Sequence, residues 1–357
     1  VANAFRNIDA AGGGNMSLAD ATTAVATKPA NRRYSNIEAL RGVASIGVAL
    51  FHFSGQLNSA VPLVFQSVGW LGVDVFFVIS GFVIPLSLYG RDYRLRDFPH
   101  FMLRRLVRLE PPYLASIALG LLLWYLSTLA PGFRGTEPDY SFGQIAFHFF
   151  YAIPLTSYSW LSPVYWSLAY EFVFYIIVGL TFSFLINREI EFTILAAALI
   201  GAVSYYAFAQ FDVKILEFTV GILLLRLVVN NAPRLRLCAW LAVCLAGVFW
   251  TGGGLILGAV LLAAGTIYFL RDVQFGRWAY FVGGISYSLY LTHTVIGGRV
   301  INLGRRFGEG ALYEALLVIA ALAVAVLFSV LFARFIEAPA RHASHRIRLF
   351  PANAPSR

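Results

Sequence analysis

Ile37 to Ser54 reads IEALRGVASIGVALFHFS, an uninterrupted apolar stretch long enough to cross a bilayer. Within it stand Arg41 and His52, with ten residues between them. At about 1.5 Å per residue their separation along a helix is roughly 16 Å, about half the hydrocarbon thickness. Ionisable side chains in such a segment are costly to bury and mark functional sites by default. One end carries a fixed positive charge and the other a group that takes up a proton near neutrality. The pattern points to chemistry conducted across a membrane.

Outward from this stretch the composition agrees. The 357 residues are 59% hydrophobic and 13% charged, against about 45–50% and about 25% in soluble domains. Long apolar runs, instead of short alternating strands, exclude a transmembrane barrel. The expected fold is all-α: a polytopic integral membrane bundle of about ten transmembrane helices plus a short re-entrant or interfacial element. The net charge of +9 does not indicate nucleic acid, because the basic residues gather in short connections, as cytoplasmic loops do. Cys238 and Cys244 lie six apart, off one another's helix face, which makes a disulfide between them implausible. No Cys/His spacing suits a metal, and no tightly bound cofactor is expected. Residues 1 to about 34 are rich in Ala, Gly, Thr and Asn and read as a disordered tail without the apolar core of a signal peptide. Met16 is a candidate start. The membrane domain is expected over 35–342, followed by a cytoplasmic tail over 343–357.

Apolar runs place spans near 37–54, 68–89, 112–130, 165–186, 192–210, 213–229, 236–251, 254–270, 280–301 and 312–335. Arg32 and Arg33 precede the first span, Arg91 to Arg108 fill the second connection, and Arg341, Arg346 and Arg348 lie in the tail. Both termini are therefore expected in the cytoplasm of a cell whose inner membrane the chain crosses. That parity excludes Phe142–Tyr158, a short apolar stretch containing Pro154, as a further span; it reads as re-entrant or interfacial. Arg299, Arg305 and Arg306 fall on the outer side against this rule, where a site for an anionic glycan could use them. The topology also brings His52, Asp74, Glu171 and His293 into one outer leaflet, and gathering them around a polar cavity lowers the cost of burying each alone.

Further segments carry the motifs: GWLGVDVFFVISGF (Gly69–Phe82), RRLVRLEPPY (Arg104–Tyr113), WSLAYEFVFY (Trp166–Tyr175), ISYSLYLTH (Ile285–His293) and FIEAP near the end. In this order, behind Arg41 and His52, they resemble the membrane acyltransferase 3 family over about residues 34–342. The resemblance implies transfer of an acyl group, often acetyl, from a cytoplasmic coenzyme A thioester to a hydroxyl on a glycan, a lipid-linked sugar or a small molecule. It also implies that Arg41 and His52 correspond to the family's Arg-ten-His pair, and Arg104 and Arg105 to its basic element.

The residues themselves are consistent with that chemistry. Acyl transfer to a hydroxyl needs a base, and His52 is the candidate. Asp74 or Glu171 is placed to orient its imidazole, or else each carboxylate holds helices together. Arg104, Arg105 and Arg108 suit the phosphates of coenzyme A, since guanidinium binds phosphate through a planar fork, the alternative being a topology signal; Arg41, inside its helix, is harder to read as such a signal and suits the donor's phosphates or pantetheine arm. Tyr287, Tyr290 and His293 share a helix face; the tyrosines are candidate oxyanion donors or packing aromatics. Trp166 reads as an interfacial anchor, Ser80 as a packing residue beside Gly81 and, less simply, as a nucleophile. Glu337 and Pro339 read as the end of the last helix, and His100, His148, His342 and His345 as loop or interface residues. The competing class is a secondary transporter, whose proton relay would use the same buried charges. Expected partners are acyl-coenzyme A, a glycan or other hydroxyl acceptor, and membrane lipids, with no nucleic acid.

Overall fold

The computed structural model describes residues 34–187, 211–229 and 234–347, apart from positions 56, 58 and 59 and several within 131–138. The tail read over 1–33, the span expected at 192–210 and residues 348–357 lie outside the described residues. Among the described residues every regular element is helical. In chain order these are α1 (Ser35–Ser54), α2 (Ala60–Val68), α3 (Gly72–Leu86), α4 (Phe98–Thr128), α5 (Phe142–His148), α6 (Trp166–Asn187), α7 (Phe211–Val229), α8 (Arg234–Phe269), α9 (Gly276–Gly304) and α10 (Ala311–Phe332). A π-helical turn, Ala333–Glu337, joins α10 to α11 (Ala338–Arg346).

Among the described residues, five stretches are long and apolar enough to cross a membrane: Ser35–Ser54, Leu63–Leu86, Leu95–Thr128, Arg234–Phe269 and Ala311–Arg346. Leu122 and Leu126 of α4, Trp250 and Leu262 of α8, and Leu316, Ile319 and Leu327 of α10 are exposed. So much apolar side-chain surface is at home in lipid, while the helical backbone satisfies its own polar groups. The protein is a helical membrane protein.

Several boundaries differ from the sequence-based expectation. The helix of the third expected span, α4, begins at Phe98, not near 112, so the arginine-rich connection is itself helical. Pro99 falls in its first turn, where a missing N–H costs nothing. As a result Arg104 and Arg108, four apart, lie on one helix face. The runs at 236–251 and 254–270 form one helical element broken at Gly253, whose φ of 78° and ψ of −179° interrupt the helix; a side chain would resist that conformation. Phe142–Tyr158 contributes only the seven-residue α5 and a 3₁₀ turn, Ile153–Leu155, too short to cross. Glu337 and Pro339 do not end the last helix. The π turn absorbs the hydrogen bond that Pro339 cannot make, and the helix continues to Arg346.

Small residues set how closely the central helices approach. A Cβ added to Gly42 would strike Val282, one on Gly283 would strike Glu38, and one on Gly297 would strike the Phe53 ring, so glycine allows α1 and α9 to lie against each other. α3 crosses α7 in the same way: a Cβ on Gly221 would meet the Cα of Gly81 at 2.7 Å. Gly81→Val is expected to cost at least about 1–3 kcal/mol, because the obstructing atoms are backbone that cannot rotate aside. Gly284→Ala, which adds its methyl to open space, should leave thermal unfolding in detergent unchanged, whereas Gly81→Val should lower the midpoint.

Candidate active site

The sequence places an arginine inside α1, and the fold brings two more beside it. Arg41, with Arg105 and Arg108 of α4, lines a cleft of about 930 Å³ of empty space, open solvent included. Across it stand Ser80 of α3, Glu171 and Tyr175 of α6, Tyr287 and Tyr290 of α9, and Glu337 of the π turn. The Arg105 guanidinium lies over the rings of Phe101 and Tyr175, 5.5 and 5.4 Å from their centroids, and donates to Ser87 Oγ at 2.8 Å. A second cleft, of about 590 Å³, shares Arg105 and Arg108 and adds Arg91, Arg104 and His345. Arg104 is bonded to His345 Nδ1 at 2.9 Å. The arginines thus form one cationic path through both clefts, and it outweighs the two carboxylates that face it.

Those carboxylates are held by hydroxyls. Glu171 Oε1 accepts from Ser80 Oγ at 3.1 Å and from the Tyr175 hydroxyl at 2.6 Å. Glu337 Oε2 accepts from Ser288 Oγ at 2.6 Å. The tyrosine hydroxyls of α9 are also engaged: Tyr287 donates to the Leu109 carbonyl at 3.0 Å, and Tyr290 to the Val164 carbonyl at 3.0 Å. Tyr290 also lies 2.6 Å from Ser167 Oγ. Neither tyrosine offers an uncommitted proton in this arrangement.

Phe76 and Tyr290, whose rings meet edge to face at 5.8 Å, line the cleft, and His52 and His293 do not. His293 stands beside Tyr290, 6.2 Å away between ring centroids, and His52 stands beside His293. His293 Nε2 is 3.2 Å from His52 Nδ1. Each Nδ1 also faces the carbonyl one turn back, Val48 for His52 and Leu289 for His293, both at 2.9 Å. A carbonyl only accepts, so each Nδ1 carries the proton. His52 then shares its Nδ1–H between Val48 and the lone pair of His293 Nε2. Its Nε2 is left unprotonated and has no hydrogen-bond partner among the described residues, the state a general base requires.

The imidazole's neighbour is therefore a second histidine and neither of the expected carboxylates. Glu171 is bound to Ser80 and Tyr175. Asp74 lies away from the cleft, fully buried, in an ion pair with Lys214 of α7, which also donates to Glu217 at 3.2 Å. This group clamps α3 to α7. Trp166 packs against Tyr170 and Phe77 at 5.4 and 6.3 Å and does not line the cleft. His148 is buried, not a free loop residue: its Nδ1 donates to the Gln144 carbonyl and its Nε2 accepts from the Leu161 N–H. The sequence reading missed Glu337, Tyr175, Lys214 and Arg91. For Lys214 an available signal was that a lysine near the start of an apolar helix demands a carboxylate partner.

An arginine-lined cleft in a helical membrane protein, with a pair of histidines beside its Tyr290, suits an anionic substrate. The chain belongs to the acyltransferase 3 family: the family's model, described as an acyltransferase domain, matches residues 34–334. It is an acyltransferase. BcsY of Komagataeibacter xylinus, named as a membrane-bound transacylase, is 29% identical over 316 residues, which cover 74% of this chain and 73% of that protein. The O-acetyltransferase OatA of Staphylococcus aureus is 31% identical over 171 residues, 44% of this chain but only 26% of OatA. YrhL of Bacillus subtilis, named as a peptidoglycan O-acetyltransferase, is 35% identical over 88 residues, 24% of this chain and 12% of that protein. No solved structure matches.

Removing the cation of the buried clamp leaves two uncompensated carboxylates. Lys214→Met is expected to destabilise the protein by about 3–5 kcal/mol, and adding Asp74→Asn with Glu217→Gln should recover much of that loss. Unfolding midpoints of the single and triple variants in one detergent check both expectations.

Proposed function

We propose that the protein transfers an acyl group, acetyl in the first instance, from cytoplasmic acyl-coenzyme A to a hydroxyl of an extracytoplasmic glycan or lipid-linked sugar. The observation that carries this reading is the cationic path: Arg41, Arg105 and Arg108 in one cleft, joined through shared residues to Arg91 and Arg104 in the next. Coenzyme A brings several phosphate charges, and clustered guanidinium forks are the side chains best suited to hold them. In this reading Arg91, Arg104, Arg105 and Arg108 take the nucleotide end, and Arg41 meets the pantetheine arm. About ten spans in the inner membrane, with both termini cytoplasmic, complete the arrangement, since the arginine-rich ends then face the side where the donor is made.

The step proceeds with His52 Nε2 taking the proton of the acceptor hydroxyl. The hydroxyl oxygen attacks the thioester carbonyl carbon, a C–O bond forms, the C–S bond breaks, and the coenzyme A thiolate recovers the proton from the imidazolium. His293 keeps His52 in the competent tautomer, a positioning role. Because His52 does not line the cleft, this reading places a motion of Tyr290 before the chemical step, one that parts the Phe76–Tyr290 contact and frees the Tyr290 hydroxyl for the oxyanion. A glycan acceptor draws support from the relatives named as O-acetyltransferases, one of them of peptidoglycan. Those same relatives favour acyl transfer over the secondary-transporter reading of the buried charges.

Two outcomes test this. His52→Ala should assemble normally yet lose at least about 100-fold in transfer of radiolabelled acetyl from acetyl-coenzyme A, the usual contribution of a general base; retained turnover would remove the mechanism. Arg105→Ala should raise the KM for acetyl-coenzyme A by about tenfold or more. The wild-type KM should itself climb with ionic strength, as expected for phosphate recognition at a cleft open to solvent. A salt-independent KM would count against the assignment of the arginines.

A further inference from the structure

The cleft has a neighbour on the other side of a thin wall. Residues 161–168 run between them: Ser167 and Leu168 face the arginine-lined cleft, and Leu161, Ser162, Pro163 and Tyr165 face a groove of about 570 Å³ of empty space. The far side of this groove is built by Ile117, Gly120, Leu121 and Trp124 of α4, and its end by Thr294, Val295 and Arg299 of α9. The wall is stitched to α9 at both faces. Tyr290 bonds to Val164 and Ser167, and Ser162 Oγ lies 3.2 Å from Thr294 Oγ1. One turn of α9 therefore presents Tyr290 to the first cleft, His293 to His52, and Thr294 to the groove.

We infer that this groove is the acceptor subsite, and that it takes a sugar that carries, or is joined to, an anionic group. The inference rests on the acyl-transfer reading and supplies what that reading leaves open, the class of the acceptor. Arg299 supplies the charge. Its Nη1 donates to the Val295 carbonyl at 2.5 Å, while its Nε is buried without a partner among the described residues. Among the described residues no acidic side chain lines the groove, so the guanidinium has spare donors for a ligand. On the topology of the proposed function, an arginine near this end of α9 also opposes the usual placement of basic residues, which a ligand would explain. The half-buried Trp124 offers a ring whose negative face suits the polarised C–H face of a sugar, and the Ser162–Thr294 pair offers hydroxyls that both donate and accept. The anion has two possible sources, an acidic sugar or the diphosphate of a lipid-linked sugar, and both place the sugar ring against Trp124 on the side of the wall nearest His293.

Equilibrium binding decides the matter without turnover, so an inactive enzyme would refute the proposed function and leave this measurement standing. The full chain, in nanodiscs of zwitterionic lipid, is titrated with tri-galacturonate, with its neutral methyl ester, and with a polyprenyl diphosphate-linked N-acetylglucosamine. One of the two anionic probes should bind, and which one does identifies the source of the charge. If it is tri-galacturonate, the ester should bind roughly tenfold more weakly; for either probe, Arg299→Gln should weaken binding by about the same factor while Arg299→Lys loses less. Trp124→Ala should weaken the anionic probe and the ester alike. Should Arg299→Gln fail to assemble, Trp124→Ala and Thr294→Val carry the comparison. Binding of neither anionic probe, an ester that binds as well as the acid, or Arg299→Gln and Trp124→Ala that bind like the wild type would each overturn the inference. So would loss of sugar binding when phosphatidylglycerol replaces the zwitterionic lipid, since a headgroup would then own the groove.

Discussion

A charged side chain at the centre of a bilayer costs about 2.5–3.5 kcal/mol even on the mildest scales, and it persists only where it is paired or faces a polar cavity. The helices of this protein meet that cost in two ways. Asp74 and Glu217 are buried and paired with the half-buried Lys214, which ties α3 to α7. Arg41, Arg105 and Arg108 instead border empty space. Arg105 is held by two aromatic faces and a serine hydroxyl, which steady a guanidinium without neutralising it. The carboxylates opposite are held by hydroxyl donors and leave the arginine charge in excess. Where a charge is neutralised, the fold gains a clamp; where it is only positioned, the fold gains a site.

The histidine pair depends on a different constraint, the separation of α1 and α9. Imidazoles reach each other at 3.2 Å only if the helices that carry them lie nearly in backbone contact. Gly42, Gly283 and Gly297 provide that approach along the seam, and Gly297 receives the ring of Phe53, the residue next to His52. A methyl group there would push α1 away from α9 at the level of the two rings. The tautomer of His52 is thus a consequence of helix packing, set by carbonyls at i−4 and by a neighbour that only close packing can bring near.

Much of this was readable in the chain. The helices over 37–54, 165–186 and 213–229 were evident from apolar length; of the Arg41 and His52 pair, Arg41 lines the cleft and His52 does not. The contact of His52 with His293 was not legible, because two histidines 241 residues apart carry no local sign of meeting. Hydropathy read the segment around Arg104 as a loop, since it scores transfer to lipid; helix propensity and Pro99 in the first turn argued otherwise. Pro339 was read as a terminator because a π turn that accommodates it leaves no distinct pattern in sequence. Asp74 passed for a catalytic candidate because its partner Lys214 lies 140 residues away. Charges declare that they need partners, but the fold decides which ones they find.

The geometry also bears on how an enzyme of this kind would avoid wasting its donor. A thioester held beside a base in contact with water would be hydrolysed. On the proposed reading the donor lies in the arginine-lined cleft and the base, His52, is not among the residues that line it, so the contact of Phe76 with Tyr290, both of which do, is the barrier between them. Tyr290 is fixed in that barrier by bonds to Val164 and Ser167, which belong to the wall shared with the groove of Arg299 and Trp124. A ligand settling in the groove would press on that wall through Ser162 and Tyr165. The segment that would sense the acceptor is therefore the one that holds the barrier shut, so on the proposed reading filling the groove and opening the path to His52 share one mechanical element. The coupling needs no distant relay, because about one helical turn of α9 separates Tyr290 from Thr294.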